Sequence, residues 1–304
     1  MALTDKKIGV LMGGDSAEAE VSIKTGTAIL NALVKNRYHA VPLKMSPDIW
    51  RVLEKESIGI VFNGLHGKGG EDGKIQGLLE SMKIPYTGSG ILASALGMDK
   101  AASRKIFIYH QIPVPDFYFL RRDQKSRFRT GAVSFPLPWV VKPCREGSSV
   151  GVSIVETGDA VTPAMEEAFR HDEEILIEPY IPGREIQVGI LEEKALGVIE
   201  IKTKRKFYDY TAKYVSGMSD HIFPAPLSEA LYGRVMALGL LAHQALGCRG
   251  YSRVDFILGK DQQFYLLEVN TLPGMTETSL LPEIARGVGI SFEQLVERIL
   301  SCAI

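Results

Sequence analysis

Two runs in the last third of the chain, Tyr251-Ser-Arg-Val-Asp-Phe-Ile-Leu258 and Gln263-Phe-Tyr-Leu-Leu-Glu-Val-Asn270, constrain the fold most. Both are rich in β-branched and aromatic residues, and Gly259-Lys-Asp-Gln262 between them reads as a turn, so the pair predicts a β-hairpin. Strand side chains alternate faces, which places Arg253 and Asp255 on one face of the first strand and Glu268 and Asn270 on one face of the second. Pairing about the turn centre sets Arg253 nearly opposite Glu268, with Asp255 within about two ladder steps. Two carboxylates and an amide oxygen on one patch suit a hard cation that also bridges substrate phosphates. A solvated hairpin face, or an Arg253–Glu268 cross-strand ion pair, fits the same residues.

Composition supports an enzyme more than a nucleic-acid binder. The 304 residues carry a net charge of −1, whereas a nucleic-acid-binding domain is normally distinctly basic. Hydrophobic residues at 45% and charged residues at 23% are ordinary for a globular protein of two or three packed units. Cys144, Cys248 and Cys302 are widely spaced and form no Cys-x-x-Cys, so they read as reduced thiols, outside any disulfide framework or zinc site. The N-terminus lacks an apolar signal region, and no segment approaches the roughly 20 apolar residues of a membrane span. A cytoplasmic location is expected.

Strand and helix alternate through the first unit. Lys7-Ile-Gly-Val-Leu-Met12 reads as a buried strand, Gly13-Gly14 turns it into a helix through about Leu33, and strands follow at Ala40–Leu43 and Ile58–Phe62. This order predicts a small parallel sheet with functional loops at the carboxyl ends of its strands. Gly13-Gly14 does not have the glycine spacing of a dinucleotide site. Further on, a helix near Lys100–Tyr109 is followed by a basic run from Arg121 to Arg129, read as a solvated surface, and then by strands at Trp139–Lys142, Val150–Val155 and Glu174–Glu178. A helix near Pro163–Arg170 lies between the last two. The final unit holds strands at Glu185–Leu191 and Ala195–Ile201, a helix at Ser228–Leu246, the hairpin, and a terminal helix opened by the capping box Ser291-Phe-Glu-Gln294. The expected units are 1–96, 97–180 and 181–304.

Three further segments carry candidate chemistry. Lys142 ends a strand before Gly147-Ser-Ser-Val-Gly151, a small-residue loop whose backbone N–H groups can turn toward phosphate; it is not a Walker loop, because no Gly-Lys-Ser/Thr occurs. Glu178 and Glu185 flank a loop at strand ends, either as acceptors for an adenine amine and ribose hydroxyls or as plain surface carboxylates. In Asn270-Thr-Leu-Pro-Gly-Met-Thr276, the Pro-Gly turn leads to Ser279, which reads either as a simple helix cap or as part of an anion site at that helix start.

Together these residues resemble the ATP-grasp superfamily and, within it, the D-alanine–D-alanine ligases. The resemblance spans essentially the whole chain. It rests on Gly13-Gly-Asp-Ser-Ala-Glu-Ala-Glu-Val-Ser22, Leu65-His-Gly-Lys-Gly-Gly-Glu-Asp-Gly73, Tyr86-Thr-Gly-Ser-Gly90, Met98-Asp-Lys100, Val141-Lys-Pro143, Arg145-Glu-Gly-Ser-Ser-Val-Gly151, Phe207-Tyr-Asp-Tyr-Thr-Ala-Lys-Tyr214 and Asn270-Thr-Leu-Pro-Gly-Met-Thr276. It implies an α/β and α+β ATP-grasp fold with an N-terminal Rossmann-like parallel sheet. It also implies that Lys100 and Lys142 hold ATP phosphates, Glu178 the adenine amine and Glu185 the ribose, with Ile181 at the nucleotide. By the same resemblance Asp255, Glu268 and Asn270 bind two Mg²⁺, or Mn²⁺ in their place. Glu20 holds the ammonium of the first D-alanine with His66 nearby, Arg253 and Gly274 stabilise the oxyanion, and Ser279 and Leu280 take the carboxylate of the second D-alanine. Lys213 and Tyr214 ride a closing loop over about 206–220, with Tyr214 near Ser148 and Glu20. A homodimer and a role in peptidoglycan precursor synthesis are implied too.

Taken without the resemblance, Glu20 is favourable at a helix start for the macrodipole alone, His66 suits a structural hydrogen bond, and the run Lys202, Lys204, Arg205, Lys206 is an ordinary charge cluster. The rival functions are a ligase with another acceptor such as D-lactate, a nucleotide-sensing module, and an NAD-dependent oxidoreductase. The joint presence of Asp255, Glu268, Asn270, Arg253 and Lys142 speaks against the module, and the missing glycine fingerprint against the oxidoreductase.

Overall fold

The computed structural model describes residues 6–203, 219–276 and 278–303. Its first sheet is parallel, in the order β2-β1-β3, from β1 (Ile8–Gly13), β2 (Ala40–Met45) and β3 (Ile60–Asn63). Every residue of the central strand β1 is buried, which is why it reads as an unbroken small and apolar run. Helices α1 (Ala19–Lys35), α2 (Ile49–Lys55) and α3 (Lys74–Ser81) connect and cover these strands. Only Ile49 and Leu53 of α2 are buried, too few for its period to show in the sequence.

Helices α4 (Ile91–Met98) and α5 (Lys100–Tyr109) meet at Asp99, whose extended backbone ends the first. The Asp99 carboxylate accepts a hydrogen bond from the Ala102 N–H at 2.9 Å and so caps the second. The antiparallel second sheet runs β4-β7-β5-β6, from β4 (Tyr118–Arg121), β5 (Trp139–Pro143), β6 (Ser153–Val155) and β7 (Glu174–Pro179), with α6 (Val161–His171) packed on it. The basic run after β4 is a 3₁₀ turn over Arg122–Arg127 with no buried residue, the solvated surface expected.

The third sheet, also antiparallel, runs β10-β9-β8-β11-β12, from β8 (Gly183–Leu191), β9 (Lys194–Thr203), β10 (Ser219–Ile222), β11 (Tyr251–Gly259) and β12 (Phe264–Asn270). One face packs on α5 and on α7 (Glu229–Ala245) through Phe107, Ile186, Val188, Val235 and Phe264. Helices α8 (Leu280–Gly287) and α9 (Phe292–Ser301) close the chain. Leu295, Val296, Ile299 and Leu300 of α9 share a core with Ile8, Val10 and Leu33, so the C-terminal helix covers the N-terminal sheet.

The hairpin forms, but in a different register from the one its turn centre predicts. Leu258 pairs with Phe264, which shifts the ladder by one residue, and a bulge between Asp255 and Phe256 shifts it by one more. Asp255 therefore stands opposite Glu268, and Arg253 opposite Asn270. Phe264, Leu266 and Val269 are buried, whereas Leu267 and Glu268 are both half-exposed. The extra residue at the bulge turns Glu268 out of the core and onto the face of Asp255.

Candidate active site

Two adjoining clefts lie among the sheets and share Lys100, Glu146, Gly147, Ser148 and Glu268. The larger, about 610 Å³, lies between the second and third sheets and is lined by Lys142, Glu178, Ile181, Glu185, Asp255 and Glu268. The smaller, about 360 Å³, is lined by Glu18, Glu20, His66, Arg253, Asn270, Gly274, Ser279 and Leu280. The strands and loops thus bring together every predicted site residue within the described part of the chain. Lys213 and Tyr214, and the predicted closing loop up to residue 218, lie outside the described residues.

In the larger cleft, Lys142 and Glu178 project from neighbouring strands β5 and β7, and the ammonium donates to Glu178 Oε2 at 2.6 Å. Arg104 of α5, only 1% exposed, donates from Nε and Nη2 to Glu178 Oε1 at 3.1 and 2.7 Å, and from Nη1 to the Leu266 carbonyl. Burial alone raises the Glu178 carboxyl, but Arg104 and Lys142 outweigh it and hold the group below the usual carboxylate range. Lys142 has one carboxylate against burial and two neighbouring cations, so its ammonium is pushed down instead.

On the hairpin, Arg253 donates to both oxygens of Asp255 at 2.8 Å each. The alternative of an Arg253–Glu268 cross-strand pair does not form, because the bulge puts Asp255 opposite Glu268 and leaves Arg253 beside Asp255 on its own strand. Glu268 takes Lys100 as its cation at 3.3 Å. The first turn of α5 fixes that lysine: its N–H donates to the Cys144 carbonyl at 3.0 Å, and its ammonium to the Glu146 carbonyl at 2.6 Å. Asn270 Oδ1 accepts from the Leu272 N–H at 3.0 Å. Asp255, Glu268 and Asn270 thus present oxygen donors on one sheet face, a set that fits a hard divalent cation. Among the described residues no cluster of three or more His, Cys, Asp or Glu side chains could hold a metal.

Glu18 is a lining residue of the smaller cleft. Ser148, held at φ +50° in the loop after β5, donates its hydroxyl to Glu18 Oε1. Gly67 and Gly147 press on the same carboxylate; a Cβ on either would lie 2.9 or 3.2 Å from Glu18 Oε2. Ser148, expected with Tyr214 in the neighbourhood of Glu20, is bonded instead to Glu18, at the N-cap of α1. Glu20 lies in the first turn of the helix, exposed at the cleft wall. His66 is buried, with Nε2 2.9 Å from Thr25 Oγ1 and Nδ1 3.3 Å from Glu71 Oε1. Burial raises the Glu71 carboxyl, and neighbouring Glu18 adds to the rise. Ser279 precedes α8 but makes no side-chain cap, because its Oγ turns back to accept from the Thr276 N–H at 3.0 Å. Gly274 lies against it, where a Cβ would come within 2.8 Å of that Oγ.

Residues 49–89 match the family profile described as D-ala D-ala ligase N-terminus, and residues 106–301 the one described as D-ala D-ala ligase C-terminus. The D-alanine–D-alanine ligase of Geotalea uraniireducens is 56% identical over 301 residues, 99% of this chain and 96% of that one. Its counterpart in Citrifermentans bemidjiense is 54% identical over 301 residues, 99% and 97% of the two chains. This chain belongs to the D-alanine–D-alanine ligase family. The crystal structure of the Bacillus anthracis D-alanine–D-alanine ligase complexed with ATP superposes with a TM-score of 0.86 at 38% identity, over 98% and 97% of the two chains. The VanG D-Ala:D-Ser ligase from Enterococcus faecalis gives 0.86 at 30% identity, over 98% and 99%.

In this D-alanine–D-alanine ligase family member, Glu18 and Arg104 are the residues that sequence reasoning overlooked. Glu18 and Glu20 differ by two positions, about 200° around a helix, and only the entry angle of α1 decides which faces Ser148. Arg104 carries no motif; its burial in α5 follows from the packing of that helix between two sheets.

Proposed function

We propose that this chain joins two D-alanines into D-alanyl-D-alanine, converting ATP to ADP and phosphate, for peptidoglycan precursor synthesis. The observation that carries this reading is the pair of clefts meeting at Lys100, Ser148 and Glu268, the larger lined by Lys142, Glu178 and Glu185 and the smaller by Glu18, Arg253 and Ser279. Relatives at 50–56% identity carry the D-alanine–D-alanine name, and the D-lactate alternative is not favoured. The carboxylate of the first D-alanine attacks the γ-phosphate and forms an acyl phosphate. The amine of the second then attacks the activated carbonyl, and phosphate leaves the tetrahedral intermediate. The protein positions these groups and meets charge as it develops.

In this reading Lys100 and Lys142 bind the phosphates, Glu178 the adenine amine and Glu185 the ribose, beside Ile181. Glu18, in place of Glu20, holds the ammonium of the first D-alanine, with His66 behind it. Arg253 and the Gly274 N–H face the oxyanion, and Ser279 and Leu280 take the carboxylate of the second D-alanine. The roles expected of Lys213 and Tyr214 fall on residues outside those described. Asp255, Glu268 and Asn270 would hold two Mg²⁺, or Mn²⁺, which when bound neutralise the polyphosphate charge. The three sheets support a division into 1–96, 97–180 and 181–304. Among the described residues no helix is long and apolar enough to cross a membrane, which is consistent with a cytoplasmic enzyme. The family leads us to expect a homodimer, which sedimentation equilibrium tests.

Phosphate release from ATP with and without D-alanine, with products separated by mass, tests the function. D-Alanine-dependent release with dipeptide formation is expected. Absence of D-alanine-dependent release refutes the reading, and predominant ester in competition with D-lactate refutes the acceptor.

A further inference from the structure

Gln187 is 4% exposed, and its side-chain oxygen is buried with no hydrogen-bond partner among the described residues. It lies in the floor of the larger cleft with Lys142, Glu178 and Glu185. Its neighbours Ile186 and Val188 face the opposite side of the sheet, in the core under α7. Across the ladder Gln187 is paired with Asp255 on one side and Ile199 on the other. An apolar side chain would satisfy the sheet here, as Ile199 and Ile201 do on the adjacent strand. A buried acceptor without a donor destabilises a fold, so this amide makes physical sense where a ligand brings the donor.

The donors that a metal–nucleotide complex brings are the adenine amine, the ribose hydroxyls and water on the cation. Glu178 and Glu185 lie toward the base and sugar in the reading above. Gln187 is two residues beyond Glu185 on the same face, and its direct cross-strand partner is Asp255, so the two Cβ atoms stand about 5 Å apart. That register puts the amide at the cation end of the cleft. We propose that Gln187 is a positioning residue for the hydrated divalent cation of the nucleotide: its amide oxygen accepts a hydrogen bond from a water on the cation that Asp255 faces. The inference rests on the proposed role of Asp255, Glu268 and Asn270.

The test uses the full chain and two apolar variants, Gln187→Met, which keeps the length of the side chain, and Gln187→Leu. Mn²⁺ binding in the presence of ADP is read from the electron paramagnetic resonance of free Mn²⁺. ADP binding in excess EDTA is read by equilibrium dialysis. Loss of a ligand's outer partner weakens metal affinity by about 10- to 100-fold, and that loss is expected for Mn²⁺ with ADP. Metal-free ADP affinity should be unchanged, and the thermal midpoint of the unliganded variants should not fall, because an orphaned acceptor has been removed. Unchanged Mn²⁺ affinity in a folded variant overturns the proposal. So does an equal loss with metal-free ADP, which would assign the amide to the nucleotide itself. Failure of the wild type to take up Mn²⁺ with ADP would instead remove the cation reading on which the proposal stands.

Discussion

At the scale of single residues, the site is a set of charges whose partners are chosen by backbone geometry. Glu18 receives the Ser148 hydroxyl, while Glu20 stays at the cleft wall. A hydrogen bond to a charged group contributes about 1.5–3 kcal/mol, so Glu18→Gln should lower kcat/KM for D-alanine by roughly 10- to 100-fold. Glu20→Gln should change it far less, and steady-state phosphate release at varied D-alanine distinguishes the two. Arg104 makes a different prediction. Arg104→Met leaves Glu178 paired with Lys142 but removes its other donor and that of the Leu266 carbonyl, so it should destabilise the fold by about 1–3 kcal/mol at neutral pH. The folded Glu178 carboxyl lies below its ordinary value of 4.5, so its contribution is full above that pH and fades as pH falls through the depressed folded value. The stability gap between wild type and variant should therefore narrow in acid, as urea unfolding at neutral pH and below pH 4.5 would show.

At the scale of elements, caps and a bulge aim the functional side chains. Asp99 both breaks α4 and caps α5, which puts Lys100 in the first turn with its ammonium on Glu146 and near Glu268. Asp99→Ala should cost about 1 kcal/mol of stability and raise KM for ATP, whereas Asp99→Asn, also a good cap, should retain both. Denaturant melts paired with ATP kinetics decide this. Ser291 and Gln294 form the reciprocal cap on α9 that the sequence pattern predicts. In β12 the buried positions step from Phe264 to Leu266 and then to Val269 across the bulge, a pattern that only the packed sheet reveals. A strict period of two missed that slip. Elements α2, α4 and β4 were not legible, because each is short and buries few side chains.

At the scale of the whole molecule, the last helix completes the first sheet. Leu295, Ile299 and Leu300 of α9 fill the core over Ile8, Val10 and Leu33. Lys35 donates to Glu293 at 2.6 Å, and the Tyr38 hydroxyl to Glu297 at 2.7 Å, along the same seam. Removing residues 290–304 should therefore uncover the N-terminal core and end cooperative unfolding of that unit. Burying a Leu or Ile side chain contributes about 1.5–3 kcal/mol, and several are lost at once. Circular dichroism melts and hydrogen exchange of β1 amides in the truncated chain would check this; unaltered protection of β1 would contradict it.

The family, the parallel order of the first unit, the hairpin and the terminal capping box could all be read from the sequence. Those features are local: a glycine turn, a period of apolar side chains and a short motif all act within a few residues. The tertiary structure alone decided which partners those residues take. The register of Asp255 and Glu268 depends on a bulge that core packing imposes, and the choice of Glu18 over Glu20 on how α1 meets the Ser148 loop. Arg104 reaches Glu178 only because α5 packs between two sheets. Each depends on contacts between segments far apart in sequence, 130 residues for Ser148 and Glu18 and 74 for Arg104 and Glu178, and no local pattern encodes such distances.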